Sequence, residues 1–205
     1  MLNIVIPTRN RKKKLDRCLA SIPDWVTVWI GNDDGKKPNG SVKTRNDLLQ
    51  SFITGDVLCA VDDVVFIDGG LEKIYEQFLD RFPDHDGILG LRQSVDHHPS
   101  GMSIIGEKTM ERFIDRQAFN PEYFHFAAQE IMDLAIKIDK WEYPEDVIFE
   151  HYHPGRYKNL SDQTHIDARA KHTQDKALRR YRRDNDLTWG FGDEQSKCFD
   201  NDISS

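Results

Sequence analysis

Cysteine is scarce in this sequence: the 205 residues contain only Cys18, Cys59 and Cys198, and no two of them form a Cys-x-x-Cys pair. Disulfide-stabilised secreted domains and thiolate zinc sites both need several closely spaced cysteines. The cysteine content therefore argues against both. It fits a protein of the reducing cytoplasm, which is where we expect this chain to be located.

Long apolar runs are also missing from the chain. A membrane-spanning helix needs about 20 consecutive apolar residues, and no stretch approaches that length. The N-terminal run, residues 2–6, is too short for the apolar part of a secretory signal peptide. We therefore expect a soluble protein with no membrane segment.

Positive charge is not in excess either, because 28 Lys and Arg stand against 35 Asp and Glu, a formal net charge of −7. Such a chain does not coat nucleic acids or membranes through its overall charge, so any contact with a polyanion must be local. The 11 Phe, 6 Tyr and 4 Trp supply the bulky core material that disordered chains lack. The length fits one globular domain.

Two kinds of apolar segment alternate along the first third of the chain. Residues 2–6, 25–30 and 57–61 are short runs rich in β-branched residues, and residues 15–22 and 42–52 have apolar positions at helical spacing. Strands that alternate with helices predict βαβ units. The expected fold is therefore α/β, with a Rossmann-like, mainly parallel central sheet and helices on both faces.

Polar residues follow each of the three predicted strands. They are Thr8 and Arg9, then Asp33 and Asp34, then Asp62 and Asp63. In parallel sheets ligands bind at the carboxyl ends of the strands. We therefore expect these three loops to meet in one crevice.

The adjacent acids Asp62 and Asp63 are costly to bring together unless a cation or hydrogen-bond donors neutralise them. Carboxylate oxygens suit Mg²⁺ or Mn²⁺, and Mn²⁺ also accepts imidazole, which makes His151 on a later predicted strand a candidate third ligand. Two simpler interpretations stay open. The aspartates could cap a helix or lie in a solvated turn, and His151 could be an ordinary surface histidine.

Several motifs occur in a recognisable order. A strand is followed by Pro7-Thr8-Arg9-Asn10-Arg11 and by a helix ending in Leu19-Ala20-Ser21-Ile22. Residues 30–35 contain an Asp-Asp-Gly turn, residues 44–46 read Thr-Arg-Asn, and residues 55–63 form a Gly-Asp strand that ends in two acids. This series resembles family-2-type glycosyltransferases of the GT-A fold over residues 3–66. Val61 departs from the pattern, because many relatives have the first aspartate of an Asp-x-Asp triplet there.

The resemblance implies an inverting, metal-assisted transfer of a sugar from a nucleotide-diphosphate donor, first of all a UDP-sugar, to an acceptor hydroxyl. Asp62 would face the ribose or the sugar, and Asp63 would hold the Mn²⁺ or Mg²⁺ that bridges the diphosphate. The residues implied to hold or border the base and ribose are Pro7, Thr8, Arg9, Asp33, Asp34 and Arg45.

In this family a carboxylate on a later helix takes the proton of the acceptor hydroxyl. Glu130, which opens a predicted helix, is the candidate general base, and Asp133 is the alternative. Both acids could instead simply favour the positive end of the helix dipole.

The expected organisation is a GT-A-like catalytic domain over residues 1–158, with a nucleotide-binding half (1–66) and an acceptor half (67–158). A charged helical extension (159–205) follows, with a thin apolar stripe over residues 163–186. It carries the one dense basic cluster, four arginines within residues 179–183. This cluster is either a solvated helix face, a binding surface for an anionic acceptor, or a contact with another subunit in a homo-oligomer.

Two other functions stay open. The fold could serve a module that binds a sugar nucleotide or a protein without catalysis. It could also serve a nucleotidyltransferase, although the basic loop after the first strand, residues 9–14, lacks the glycines of a phosphate-binding loop. The acceptor could be a saccharide, a protein or a nucleic acid.

Overall fold

The computed structural model describes residues 1–34, 38–51, 54–93, 101–125, 127–154, 157 and 161–190. Gly35 of the predicted turn, Cys198 and the domain boundary expected at residues 158–159 lie outside the described residues.

The strands are arranged in two sheets. The first has the order β2-β1-β3-β7-β5-β8, in which β1 is parallel to β2 and β3, β5 is parallel to β8, and β7 is antiparallel to both of its neighbours. In chain order the strands are β1 (Leu2–Thr8), β2 (Thr27–Asn32), β3 (Asp56–Cys59), β4 (Val64–Phe66), β5 (Ile88–Gly90), β6 (Arg92–Gln93), β7 (Ser103–Ile105), β8 (Trp141–Glu142) and β9 (Val147–His151).

Helices cover both faces of the first sheet, as the sequence predicts. Alternation along β1 directs Leu2, Ile4 and Ile6 into a core shared with α1 and α3, and directs Val5 into a second core shared with α2, α4 and α5. The helices are α1 (Lys12–Leu19), α2 (Gly40–Leu49), α3 (Gly70–Arg81), α4 (Glu107–Arg112), α5 (Ala128–Lys137) and α6 (Gln163–Asp184).

The second sheet, with the order β4-β9-β6, brings distant parts of the chain together. Antiparallel pairing of β4 with β9 sets Val64 opposite His151, so His151 lies beside Asp63, the residue just before β4. The sequence pattern does not predict β4, β6 or β8, because strands of two or three residues are too short to show a periodicity.

The charged helix predicted near the C-terminus is α6, and it is anchored more firmly than its thin apolar stripe indicates. Leu178 packs against the second core, and the buried carboxylate of Asp175 accepts hydrogen bonds from the backbone N–H groups of Phe124 and His125 at 3.1 and 2.8 Å. Across the described ranges, no helix combines the length and the apolar character needed to cross a bilayer.

Candidate functional site

The carboxyl ends of β1, β2 and β3 lie side by side, and polar residues follow each of them. The Thr8 hydroxyl donates a hydrogen bond to Asp62 Oδ2 at 2.6 Å, and the Asp33 N–H donates to the Thr8 carbonyl at 2.8 Å. The loops after the three strands therefore meet at one point, as the alternation of strands and helices predicts.

At this point two adjacent carboxylates share one guanidinium. Arg11 Nη1 donates to Asp62 Oδ1 and Arg11 Nη2 donates to Asp63 Oδ2, each at 2.5 Å. The three side chains are shielded from water, with exposed fractions of 10%, 1% and 4% for Arg11, Asp62 and Asp63. Because two buried carboxylates repel each other without a nearby cation, Arg11 allows them to lie together.

Two histidines complete the surroundings of Asp63. His151 Nε2 lies 3.2 Å from Asp63 Oδ1, and His165 Nε2 lies 3.3 Å from Asp63 Oδ2. Burial alone would raise the pKa of Asp63, but hydrogen bonds to these imidazoles and the charge of Arg11 hold that pKa well below its usual range. Burial raises the pKa of Asp62, which Arg11 offsets only in part.

These side chains line a crevice of about 620 Å³ between the sheet edge, α2, the start of α5 and the first half of α6. Three of the predicted site residues lie outside that lining: Asp34, Glu130 and Asp133. The predicted residues that do line it are Pro7, Thr8, Arg9, Asp33, Arg45, Asp62, Asp63 and His151.

Arg45 is a buried cation of this crevice. It is 4% exposed, its Nη2 donates to the Ala60 carbonyl at 3.3 Å, and its guanidinium lies 5.3 Å from the centre of the Phe119 ring. Its Nε has no hydrogen-bond partner within the described part of the chain, and burial lowers its pKa. A buried positive charge without a carboxylate partner favours an anionic ligand.

The neighbouring acids Asp33 and Asp34 have different surroundings. The Asp33 carboxylate accepts hydrogen bonds from the backbone N–H groups of Asn39 and Gly40 at 3.0 and 3.1 Å, so it holds the start of α2. Asp34 is exposed, and its carboxylate accepts a hydrogen bond from Asn32 at 3.1 Å. Of the two, only Asp33 lines the crevice.

Helix α6 supplies a wall of the crevice that sequence reasoning missed. Its N-cap residue Asp162 accepts hydrogen bonds from Arg11 Nε at 3.0 Å and from Lys14 Nζ at 2.7 Å, and Asp167 in its second turn binds Arg9. The basic loop between β1 and α1 is thus held against the first turns of α6.

A local signal for this helix start is present in the sequence. Asp162 and His165 form a capping box, in which the N-cap carboxylate accepts from the His165 N–H and the imidazole reaches back to the Asp162 N–H. The capping box orients His165, which is the same side chain that contacts Asp63. An acid followed three residues later by histidine is a sequence signal from which the start of α6 could have been predicted. The contact of His165 with Asp63 could not have been predicted from it.

The two candidate bases on α5 are held by arginines of α6. Arg182 Nε donates to both oxygens of Glu130, at 2.8 and 3.1 Å, and Arg179 Nη2 donates to Asp133 at 3.1 Å. Glu130 is buried, and its neighbour Gln129 lines the crevice in its place. The structure therefore does not bring either candidate base into the crevice, and their role stays a prediction.

The basic cluster of α6 consists of Arg179, Arg180, Arg182 and Arg183, and each of them pairs with an acid. Two of its arginines bind acids of α5, as above, and the other two, Arg180 and Arg183, pair with Asp184 on α6 itself. Arg180 and Arg183 are 80% and 62% exposed, so these two lie on the solvated face of α6.

A divalent ion at Asp63 and His151 does not fit the side chains as they are arranged. Each of the four carboxylate oxygens of Asp62 and Asp63 already has a partner, from Thr8, Arg11 or His151. Within the described ranges, no group of three or more His, Cys, Asp or Glu residues is placed to hold a metal ion. The expected Mn²⁺ or Mg²⁺ would bind here only after Arg11 had left both carboxylates.

Solved structures of GT-A glycosyltransferases share this arrangement of strands and helices. The mannosyltransferase PcManGT from Pyrobaculum calidifontis, in complex with GDP-Man and Mn²⁺, matches with a TM-score of 0.63 at 12% identity over 87% of this chain and 64% of that one. TarS from S. aureus, in complex with UDP-GlcNAc, matches with a TM-score of 0.57 at 13% identity over 78% and 61%. The chain has the GT-A fold.

A third GT-A structure is the Drosophila beta1,4-galactosyltransferase 7 in complex with manganese, UDP-Gal and xylobiose. Its TM-score is 0.55 at 14% identity, over 79% of this chain and 74% of that one. No protein-family model and no curated protein matches the sequence. The chain spans 61% of the TarS fragment and 38% of a longer TarS chain.

The ion pair between α5 and α6 leads to a prediction about stability. Replacing Arg182 by Met leaves Glu130 buried without its cation, so we expect Arg182→Met to lower the free energy of unfolding by about 1–3 kcal/mol. Arg183→Met is the matched control, because Arg183 is 62% exposed and pairs only with Asp184. Its effect should stay within about 0.5 kcal/mol. Urea unfolding at neutral pH measures both, and equal effects would contradict the pairing.

Proposed function

We propose that this protein transfers a sugar from a nucleotide-diphosphate donor, first of all a UDP-sugar, to an acceptor hydroxyl with inversion at the anomeric carbon. The observation that carries the proposal is the buried guanidinium of Arg45, which has no carboxylate partner among the described residues and lies in a crevice at the carboxyl edge of a GT-A sheet. Ligands of open α/β sheets bind at that edge.

The crevice suits an anionic ligand of this size. Its volume of about 620 Å³ lies within the range of about 300–1,000 Å³ that is usual for small-molecule sites. Arg9, Arg11 and Arg45 line it, and guanidinium groups bind phosphate oxygens with paired N–H donors. Four acids, Asp33, Asp62, Asp63 and Asp167, line the crevice as well, so the affinity for an anion rests on Arg45, which has no carboxylate partner among the described residues.

The structural neighbours and the resemblance to family-2-type glycosyltransferases both support a nucleotide-diphosphate sugar as the donor. PcManGT is seen with GDP-Man and TarS with UDP-GlcNAc, so the fold accommodates both nucleotides in those proteins. The family pattern at Pro7-Thr8-Arg9 and Asp33 favours uridine. A cytoplasmic location, suggested by the free buried thiols of Cys18 and Cys59, belongs to the same proposal.

The sequence-based form of the proposal adds Mn²⁺ or Mg²⁺ at Asp63 and His151, and Mn²⁺ is present in the PcManGT complex. In this chain the same carboxylates are occupied by Arg11. Metal assistance would therefore need a displacement of Arg11 from both carboxylates.

The reaction is a single displacement. The acceptor oxygen forms a bond to the anomeric carbon, the bond from that carbon to the β-phosphate oxygen breaks, and the proton of the hydroxyl passes to a base. The base is Glu130, or Asp133 as the alternative. Because Arg182 and Arg179 donate hydrogen bonds to these carboxylates, the arginine must release the carboxylate before it can accept the proton.

The hydrogen bonds between Arg182 and Glu130 also favour a second function, that of a non-catalytic binding module. If Arg182 never releases Glu130, the crevice binds a sugar nucleotide without transferring its sugar.

The acceptor of the proposed transfer requires only a hydroxyl, on a saccharide, a protein or a nucleic acid.

Because the guanidinium of Arg45 is buried without a carboxylate partner among the described residues, we expect its replacement to change donor affinity and protein stability independently. Arg45→Met removes an unpaired buried charge, so the melting temperature of the free protein should stay the same or rise. The affinity for UDP should fall at least tenfold because the anion loses its buried cation. UDP at about 100 times its Kd should stabilise the wild type by about 2.7 kcal/mol. Thermal unfolding with and without UDP measures both quantities.

Arg81→Met is the control for this experiment, because Arg81 is 52% exposed and pairs with Glu142 outside the crevice. It should bind UDP like the wild type. UDP affinity unchanged in Arg45→Met, or no stabilisation of the wild type by any nucleoside diphosphate at millimolar concentration, would contradict the proposal.

The base assignment predicts a loss of turnover. Glu130→Gln keeps the shape of the side chain but cannot accept the proton, so turnover should fall by about 10²-fold while donor affinity is unchanged. Transfer is measured as nucleotide released in the presence of an acceptor. Normal turnover in Glu130→Gln, together with lowered thermal stability, would limit Glu130 to its pairing with Arg182.

A further inference from the structure

Arg11 lies where the acid pair would need a divalent cation. Its guanidinium donates to one oxygen of Asp62 and to one oxygen of Asp63, and the remaining oxygens accept from Thr8 or contact His151. A positively charged side chain therefore already lies where the metal would bind, and it offsets part of the negative charge that would attract one.

The position of Arg11 is fixed from a third direction. Its Nε donates to Asp162 at 3.0 Å, and Lys14 Nζ lies 2.7 Å from Asp162 and 4.0 Å from Asp63. With 10% of its side chain exposed and three acids around it, Arg11 is held in one orientation. An arginine in such surroundings keeps its charge at every physiological pH.

Arg11 also has a donor to spare. A guanidinium carries five N–H groups, and within the described part of the chain Nη1 is hydrogen-bonded only to Asp62, which leaves one Nη1–H. Arg11 lines the crevice together with Arg9 and Arg45. A phosphate oxygen in the crevice can therefore accept from the same guanidinium that holds the two aspartates.

We infer that Arg11 takes the part of the divalent cation in this protein: it holds Asp62 and Asp63 together and donates to the departing diphosphate, so that transfer needs no divalent metal. As the bond between the anomeric carbon and the β-phosphate oxygen breaks, its electron pair stays on that oxygen. The Nη1–H of Arg11 stabilises the charge that develops there. The role of Arg11 in transfer rests on the proposed function, whereas its binding to Asp62 and Asp63 does not.

Mn²⁺ binding tests whether Arg11 occupies the Asp62–Asp63 pair, and this test does not require transferase activity. Free Mn²⁺ is measured by electron paramagnetic resonance while Mn²⁺ is added to the wild type, Arg11→Met and Lys12→Met. Lys12 is the control, because it is the next cation along the chain, at the start of α1, its side chain is 85% exposed, and among the described residues it pairs with Asp16. We expect Arg11→Met to bind one Mn²⁺ per chain at least tenfold more tightly than the wild type and Lys12→Met.

Tight binding of Mn²⁺ to the wild type, with no gain in Arg11→Met, would overturn the inference and return Asp63 and His151 to the role of metal ligands. If Arg11→Met does not fold, the wild type still decides, because one tightly bound Mn²⁺ contradicts the inference and weak binding supports it.

A second measurement tests the role in transfer. Donor turnover by the wild type should be unchanged within twofold by millimolar EDTA and by added Mn²⁺. Turnover that EDTA abolishes and Mn²⁺ restores would overturn the inference. Absence of nucleotide binding and turnover under all conditions would instead contradict the proposed function, and the Mn²⁺ titration would still test the occupation of the acid pair.

Discussion

The pairing of one guanidinium with two adjacent buried carboxylates joins most parts of the site. Arg11 comes from the loop after β1, and Asp62 and Asp63 follow β3. The histidines against Asp63 come from β9 and from the first turn of α6. Removing the charge of Arg11 would leave two carboxylates facing each other in a poorly solvated place, and the loop after β1, the end of β3 and the start of α6 would each lose a contact.

Two buried arginines of the crevice have opposite surroundings. Arg11 has an acid at three of its nitrogens, whereas Arg45 has the Ala60 carbonyl and an aromatic ring but no carboxylate among the described residues. Neighbouring acids therefore stabilise the charge of Arg11 within the protein. The charge of Arg45 lacks such a partner, and an unpaired buried charge lowers stability. Under the proposed function, Arg45 is the arginine whose charge the ligand balances, whereas Arg11 is held by the protein before a ligand binds.

The strands β1, β2 and β3, the helices on both faces and the convergence of Thr8, Asp33 and Asp62 could be predicted from the sequence, because periodicity and strand ends are local properties. The roles of α6 and Glu130 could not. A charged helix with a thin apolar stripe gives no local sign that its first turn contacts Asp63. The partner of Glu130 is Arg182, 52 residues away, and only the packing of α6 on α5 brings them together.

The most direct test of the account is a crystal structure of the wild type grown with UDP and Mn²⁺, with diffraction recorded at the manganese absorption edge. The account predicts a nucleotide in the crevice, a diphosphate oxygen within hydrogen-bond distance of Arg11, and no anomalous peak at Asp63. Arg11 should still donate to both aspartates, as it does here. An anomalous peak between Asp63 and the diphosphate, with Arg11 turned away from the acids, would contradict it.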